Sequence, residues 1–328
     1  MVSTRARDGG PNEFAAGNGG RHVFYSSGDN LRLHAIEFGD PTSPWTPVVC
    51  LPGLTRSARD FEALALHLSS HRHRPRRVVA FDYRGRGGSA WAKDRAAYNP
   101  ITEMNDVLDG LATLGIARAV IVGTSRGGII AMLMGVSRPA LVAGIVLNDI
   151  GPAIEPRGLA RIKSYIGRTP VPDDWADAAR IQRRLHGGQF TAWNDDDWDV
   201  FARLTYRDEG GMPGADYDPL LATAFDGVDF DQPMPDLWNE FGALTTIPTM
   251  LVRGANSDLL SAATVDRMLA IHPALDVAVV AHEGHAPILR GQLLSRISSF
   301  ITAIEGPAPP ADAIVPRDMP AFSIDREN

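Results

Sequence analysis

Val122-Gly123-Thr124-Ser125-Arg126-Gly127-Gly128 is the stretch on which the reading of this chain turns. Ala119-Val120-Ile121-Val122 runs into it, short, apolar and mostly β-branched, as a buried strand should be. Ile129-Ile130-Ala131-Met132-Leu133-Met134 follows and suits a buried helix. A strand, a Gly-x-Ser-x-Gly turn and a helix, in that order, lift the central serine hydroxyl above the sheet edge. Gly123 and Gly127 are expected where a Cβ would collide with a neighbouring strand or helix. The same pattern fits a glycine-rich turn with an incidental serine, so the surrounding chain has to decide.

On both sides of this stretch, short apolar runs alternate with helical periodicity. His22 to Phe38 reads as two antiparallel strands turning at Ser27-Gly28-Asp29-Asn30. Val48 to Leu51 and Arg77 to Phe81 are buried strands, the first closed by Pro52-Gly53 and the second by Asp82-Tyr83-Arg84-Gly85-Arg86-Gly87-Gly88-Ser89. Helices are expected over Ala58 to Leu68 and Ile101 to Leu114. Beyond the central stretch, Leu141 to Leu147 is a strand that ends at Asn148-Asp149. Thr249 to Val252 and Val277 to Ala281 are the last two strands, each followed by a helix, Ala262 to Ile271 and Ile288 to Ile304. Such alternation implies an α/β fold: a doubly wound, mostly parallel sheet of eight strands with helices on both faces.

The rhythm breaks once. From Ala153 to Leu244 the pattern holds short helical pieces and no convincing strand, with Trp175, Trp193, Trp198 and Trp238 and the acidic patch Asn194-Asp195-Asp196-Asp197. The expected organisation is a core over 21–152 and 245–306, an inserted helical cap over 153–244, a loose tail over 1–20 and a proline-rich tail over 307–328. The tryptophans read as cap core, and the basic run His71 to Arg77 reads as a solvated loop.

Composition narrows the function classes. The 328 residues carry a net charge of −7, which argues against nucleic acid or an anionic membrane as partner. Cys50 is the only cysteine, so neither an intrachain disulfide nor a cysteine metal cluster is possible. No apolar run approaches the roughly 20 residues of a membrane span, and residues 1–20 lack the apolar segment of a secretory signal. A cytoplasmic location is expected.

In doubly wound sheets the chemistry gathers beyond the carboxyl ends of the strands. Serine is a weak nucleophile until a base takes its proton. His282 and His285 follow the last strand, and His285, in Gly284-His285-Ala286-Pro287, is the expected base, with His282 either structural or lining the pocket. The imidazole in turn needs an acid. Asp258, just past the preceding strand, is the favoured acid, and Asp149 is the alternative. The backbone N–H of Arg126 and that of Leu54, in Pro52-Gly53-Leu54-Thr55, are the expected donors to an oxyanion. The Arg126 guanidinium either binds a substrate carboxylate or pairs with an internal acid such as Asp149 or Glu283.

Leu51-Pro52-Gly53-Leu54, Asp82 to Ser89, Gly123 to Gly128, Ser257-Asp258 and Gly284 to Pro287 together resemble the motifs of the α/β-hydrolase fold superfamily, over nearly all of 22–305. The resemblance implies Ser125, Asp258 and His285 as a triad, with Asp149 where some relatives carry the acid, and Leu54 and Arg126 as the oxyanion hole. Where the family usually has His-Gly in its first loop, this chain has Pro52-Gly53. It also implies a cofactor-independent serine hydrolase that acts on a small carboxylic ester, thioester or lactone through an acyl-enzyme on Ser125. Carbon–carbon bond hydrolysis, acyl transfer, cofactor-free oxygenation and a non-catalytic binding module are the alternatives on the same fold. The expected partner is a small-molecule substrate, with no metal or cofactor.

Overall fold

The computed structural model of the chain describes residues 19–226 and 234–306. The tails expected over 1–20 and 307–328 therefore fall, but for residues 19 and 20, outside the described residues.

Eight strands form one sheet: β1 (Arg21–Ser26), β2 (Arg32–Phe38), β3 (Val48–Leu51), β4 (Val78–Asp82), β5 (Ala119–Thr124), β6 (Val142–Asn148), β9 (Thr249–Gly254) and β10 (Asp276–Val280). Their order across the sheet is β1-β2-β4-β3-β5-β6-β9-β10. β2 pairs antiparallel with β1 and β4, and the pairs from β4 to β10 are parallel. Strands β3, β4 and β6 are buried along their whole length, which is why they read as unbroken apolar runs rather than alternating ones.

The side-chain period of two splits these strands between two cores. Val49, Leu51, Ile121 and Leu147 face one side, where α2 (Pro100–Thr113), α3 (Arg126–Ser137) and α8 (Ala262–Ile271) cover them. Val48, Cys50, Val120 and Val122 face the other, packed by α1 (Glu62–Ser69) and α9 (Gln292–Glu305). The sheet is doubly wound, as expected. The basic run differs from its reading: Arg76 and Arg77 are buried, Arg76 paired with Glu305 of α9 and Arg77 with Glu37 of β2. Their periodicity resembled a solvated loop because their partners lie 229 and 40 residues away.

Between β6 and β9 the chain adds α4 (Pro156–Tyr165), α5 (Trp175–His186), α6 (Asp195–Thr205) and α7 (Trp238–Ala243). It also adds a hairpin where the sequence shows no convincing strand, β7 (Tyr206–Glu209) with β8 (Met212–Ala215). Neither strand alternates in hydrophobicity, but Gly210-Gly211 between them, at φ 68° and 95°, is a two-residue hairpin turn. The acidic patch opens α6: the Asn194 side chain accepts from Asp197 N, and the Asp197 side chain accepts from Asn194 N. Carboxylates in a first helical turn cap free N–H groups and suit the helix dipole. Trp193 and Trp198 pack with Phe190 as a small core of this segment, as read. Among the described residues, no helix is long and apolar enough to cross a membrane.

Candidate active site

Ser125 joins β5 to α3 at φ 51° and ψ −113°, a region that side chains rarely occupy. Such a conformation costs on the order of 1–3 kcal/mol and needs outside support. Here Ser125 N donates to Asn148 O (3.0 Å), and Ser125 O accepts from Gly128 N (2.9 Å) and Ile129 N (3.2 Å). The flanking glycines are obligatory. A Cβ on Gly123 would stand 2.4 Å from Gly127 backbone atoms, and one on Gly127 would stand 2.0 Å from Leu51 O. Close packing of strand against helix thus leaves the half-buried Ser125 side chain at the tip of the turn.

His285 lies in the loop after β10, and its Nε2 is 2.8 Å from Ser125 Oγ. Its Nδ1 is 2.9 Å from Asp149 Oδ2. A carboxylate only accepts, so the Nδ1 position carries the proton and Nε2 is left to accept from the serine hydroxyl. Asp149 is wholly buried and follows directly on β6, at φ 53°. Its Oδ1 accepts from Gly254 N (2.8 Å) and its Oδ2 also accepts from Ser257 Oγ (2.6 Å).

Asp258, the favoured acid of the sequence reading, is elsewhere. Arg161 of α4 grips it through Nε (2.6 Å) and Nη2 (3.0 Å). Burial alone would raise the Asp258 carboxyl, but the Arg161 contact outweighs it and holds the group below its ordinary value. The correction has a simple physical basis. Asp258 stands several residues past the end of β9, far enough to swing out to a cation of the inserted segment. Ser257, its neighbour in the motif, turns inward and supports Asp149 instead.

Leu54 lies in the loop after β3, close to Ser125: a Cβ on its neighbour Gly53 would be 3.8 Å from Ser125 Cβ. Arg126 is the first residue of α3, where backbone N–H groups have no carbonyl one turn earlier to bond. Two further side chains stand away from the site. The Arg126 guanidinium turns away from the site, with Nε on Glu103 Oε2 (2.7 Å) and Nη2 on the Tyr98 carbonyl (3.3 Å). It pairs with an internal acid, but neither Asp149 nor Glu283. His282 is exposed, its carbonyl accepts from Thr191 N, and it does not line the cavity over Ser125.

That cavity has a volume of about 190 Å³ and is walled mainly by apolar side chains of the inserted segment, such as Ile162, Leu185 and Phe201. None of the four tryptophans of the segment lines it. Among the polar residues at its wall that the sequence does not single out are Arg56 and His186. Arg56 is held by Asp60 (Nε to Oδ2, 2.8 Å; Nη2 to Oδ1, 2.6 Å) and lies over the Phe201 ring at 4.8 Å. Arg56 stands two residues past Leu54 and four before Asp60, and that spacing was the available signal. His186 sits between the rings of Tyr165 and Phe201, with no hydrogen-bond partner for its Nδ1. Burial, helped by Arg161 and Arg56, pushes its pKa down to about 3. Nothing in the sequence around His186 distinguished it from a surface helix residue.

Fold and site define the class: the chain belongs to the alpha/beta hydrolase family, whose model matches residues 48–297. It is 32% identical to 3-hydroxybutyrate-oligomer hydrolase from Cupriavidus necator over 268 residues, 78% of this chain and 87% of that protein. It is 26% identical to 2-(acetamidomethylene)succinate hydrolase from Mesorhizobium japonicum over 234 residues, 71% of this chain and 79% of that one. Among solved structures, an alpha/beta hydrolase from Novosphingobium aromaticivorans superposes with a TM-score of 0.78 at 37% identity, covering 86% of this chain and 98% of its own.

Proposed function

We propose that this protein is a cofactor-independent serine hydrolase that cleaves small carboxylic esters through an acyl-enzyme. The observation that carries the reading is the continuous chain Ser125 Oγ, His285 Nε2, His285 Nδ1, Asp149 Oδ2, with links of 2.8 and 2.9 Å. Ser125 Oγ attacks the ester carbonyl carbon while its proton passes to His285 Nε2. Asp149 keeps the imidazole in the right tautomer and stabilises the imidazolium that forms. The N–H groups of Leu54 and Arg126 hold the oxygen that becomes negative. His285 then gives the proton to the leaving alkoxide oxygen, and the alcohol departs. Water repeats the sequence: it loses a proton to Nε2, attacks the acyl carbon, and Ser125 leaves reprotonated with release of the acid.

A short linear ester of a hydroxy acid suits the site best, and a thioester or lactone would use the same chemistry. The name of the Cupriavidus relative supports that substrate class. The small, mostly apolar cavity over Ser125, with Arg56 and Asp60 on its wall, supports it too, since such a pocket admits a short aliphatic chain and grips a polar end. The test is hydrolysis of p-nitrophenyl butyrate and of the linear 3-hydroxybutyrate dimer, with labelling by a fluorophosphonate. Ser125→Ala is expected to lower kcat at least about 10³-fold and to abolish labelling. Turnover by that variant at the wild-type rate would refute the reading.

A further inference from the structure

The side chains of Arg86, Glu103 and Arg126 form a buried charge cluster that the chemistry above does not use, and it reaches both the Leu54 loop and the start of α3. Glu103, on α2, is wholly buried, as is Arg86; the Arg126 side chain is 14% exposed. One oxygen of the carboxylate, Oε2, takes Arg126 Nε at 2.7 Å. The other, Oε1, lies 2.8 Å from Arg86 Nη1. Arg86 in turn donates through Nε to the Leu54 carbonyl (2.8 Å) and through Nη1 to the Arg84 carbonyl (2.7 Å). Burial works against the charge on Glu103, but the two guanidinium groups outweigh it and hold the carboxyl below its usual value. A single carboxylate is thus tied at one side to the residue after the nucleophile and at the other to the first loop.

We propose that Glu103 is a positioning residue: acting through Arg126 on the start of α3 and through Arg86 on Leu54, it sets the spacing of the two N–H groups that receive the oxyanion. The proposal rests on the hydrolase reading above. A cluster that only filled space would gain nothing from charge, since replacing buried ion pairs by apolar side chains of similar volume is often neutral or stabilising. Here one carboxylate oxygen addresses the start of α3 and the other, through Arg86, the loop that holds Leu54, and the spacing of those two segments matters at the moment negative charge develops. Arg126 therefore contributes its side chain as well as its N–H, but to alignment rather than to substrate recognition.

The test uses Arg126→Met and Glu103→Gln, with Arg126→Lys as the conservative variant, in the full chain. Four quantities are measured: kcat and KM for p-nitrophenyl butyrate, inhibition by a trifluoromethyl ketone whose adduct with Ser125 carries an oxyanion, inhibition by butyrate, and the melting curve. Loss of a whole oxyanion donor costs about 10²–10³ in kcat, so displaced donors should cost about tenfold. Arg126→Met and Glu103→Gln are expected to lower kcat and ketone affinity together by that factor, with KM and butyrate inhibition changed less than about twofold. Arg126→Lys should recover part of the loss. Wild-type kcat and ketone affinity in folded Arg126→Met would overturn the proposal, as would equal weakening of ketone and butyrate. Should Glu103→Gln show no melting transition, Arg126→Met decides alone. Ser125→Ala run beside them separates the two levels. An inactive Ser125→Ala with an unaffected Arg126→Met sinks only the alignment role, and an active Ser125→Ala sinks the hydrolase reading and this proposal with it.

Discussion

Asp149→Asn, compared with Asp258→Asn, is the sharpest test of the site. The Asp149 carboxylate accepts from Gly254 N at 2.8 Å, Ser257 Oγ at 2.6 Å and His285 Nδ1 at 2.9 Å. Asparagine has the same shape, and its oxygen keeps the Gly254 bond. Its NH₂ then stands where Oδ2 faced His285, and a donor there forces the ring to present a lone pair at Nδ1. The proton moves to Nε2, which can no longer accept from Ser125. The same kind of tautomer error in a serine protease triad lowers kcat about 10⁴-fold, equivalent to about 5 kcal/mol of transition-state stabilisation. Asp258→Asn meets a different fate. It leaves Arg161 with one weaker hydrogen bond, at a pair whose side chains are 22% and 15% exposed. Stability falls by on the order of 1–3 kcal/mol, and kcat by less than about fivefold because no reacting atom loses a partner. Both variants are assayed for kcat on p-nitrophenyl butyrate and for folding by near-UV circular dichroism. A larger kcat loss in folded Asp258→Asn than in folded Asp149→Asn would refute the assignment of Asp149 as the acid.

Two further predictions concern folding, and both are read from urea melts. His186 has its pKa held down to about 3 in the folded chain, whereas the unfolded ring titrates near 6.5. Below that pH the unfolded chain binds a proton that the folded one excludes, so stability rises with pH through this window and is lost as pH falls. The group should cost about 2 kcal/mol between pH 8 and pH 5. His186→Gln should lack that component, and parallel stability profiles for the two proteins over this range would rule it out. Gly127→Ala forces a methyl to within 2.0 Å of the Leu51 carbonyl. It should destabilise by about 3 kcal/mol or more, and a midpoint matching wild type would show that strand and helix separate more easily than the packing implies.

The fold was legible because its central strands are short apolar runs bounded by turn residues such as Pro52-Gly53, Asp82 and Asn148-Asp149. β3 through β6 were recoverable to within a residue or two, and the Gly123-Thr124-Ser125-Arg126-Gly127 turn marked the sheet edge that the other loops had to serve. Topology narrowed the histidine to His282 or His285 after the final strand, and the structure sets His285 beside Ser125. β7 and β8 were missed because Tyr206-Arg207-Asp208-Glu209 carries no period of two; its pairing rests on the turn and on backbone bonds. The partner of Arg126 was missed for a different reason. Glu103 lies 23 residues earlier on a helix whose apolar stripe it interrupts, and an acid in that position reads as solvent-facing until α3 packs over it.

The sheet explains why His285 meets Asp149 rather than Asp258. Asp149 and Asp258 are far apart in the chain, but β6 and β9 are adjacent, with Asn148 opposite Val252. Both carboxylates therefore emerge at the same edge, and either can face the same imidazole. Distance past the strand end then decides. Asp149 follows β6 directly, and its N–H still donates to Val252 O at 2.8 Å, so its side chain cannot leave the sheet edge. Asp258 is carried out on a turn in which Ser257 points inward to Asp149 while Asp258 points outward to Arg161. This stretch thus orients Asp149 through Gly254 and Ser257 and anchors α4 through Asp258. That arrangement ties the position of the inserted segment to the geometry beneath it. A carboxylate neutralised by a guanidinium is better suited to holding that segment than to stabilising an imidazolium, because its charge is already spent on Arg161.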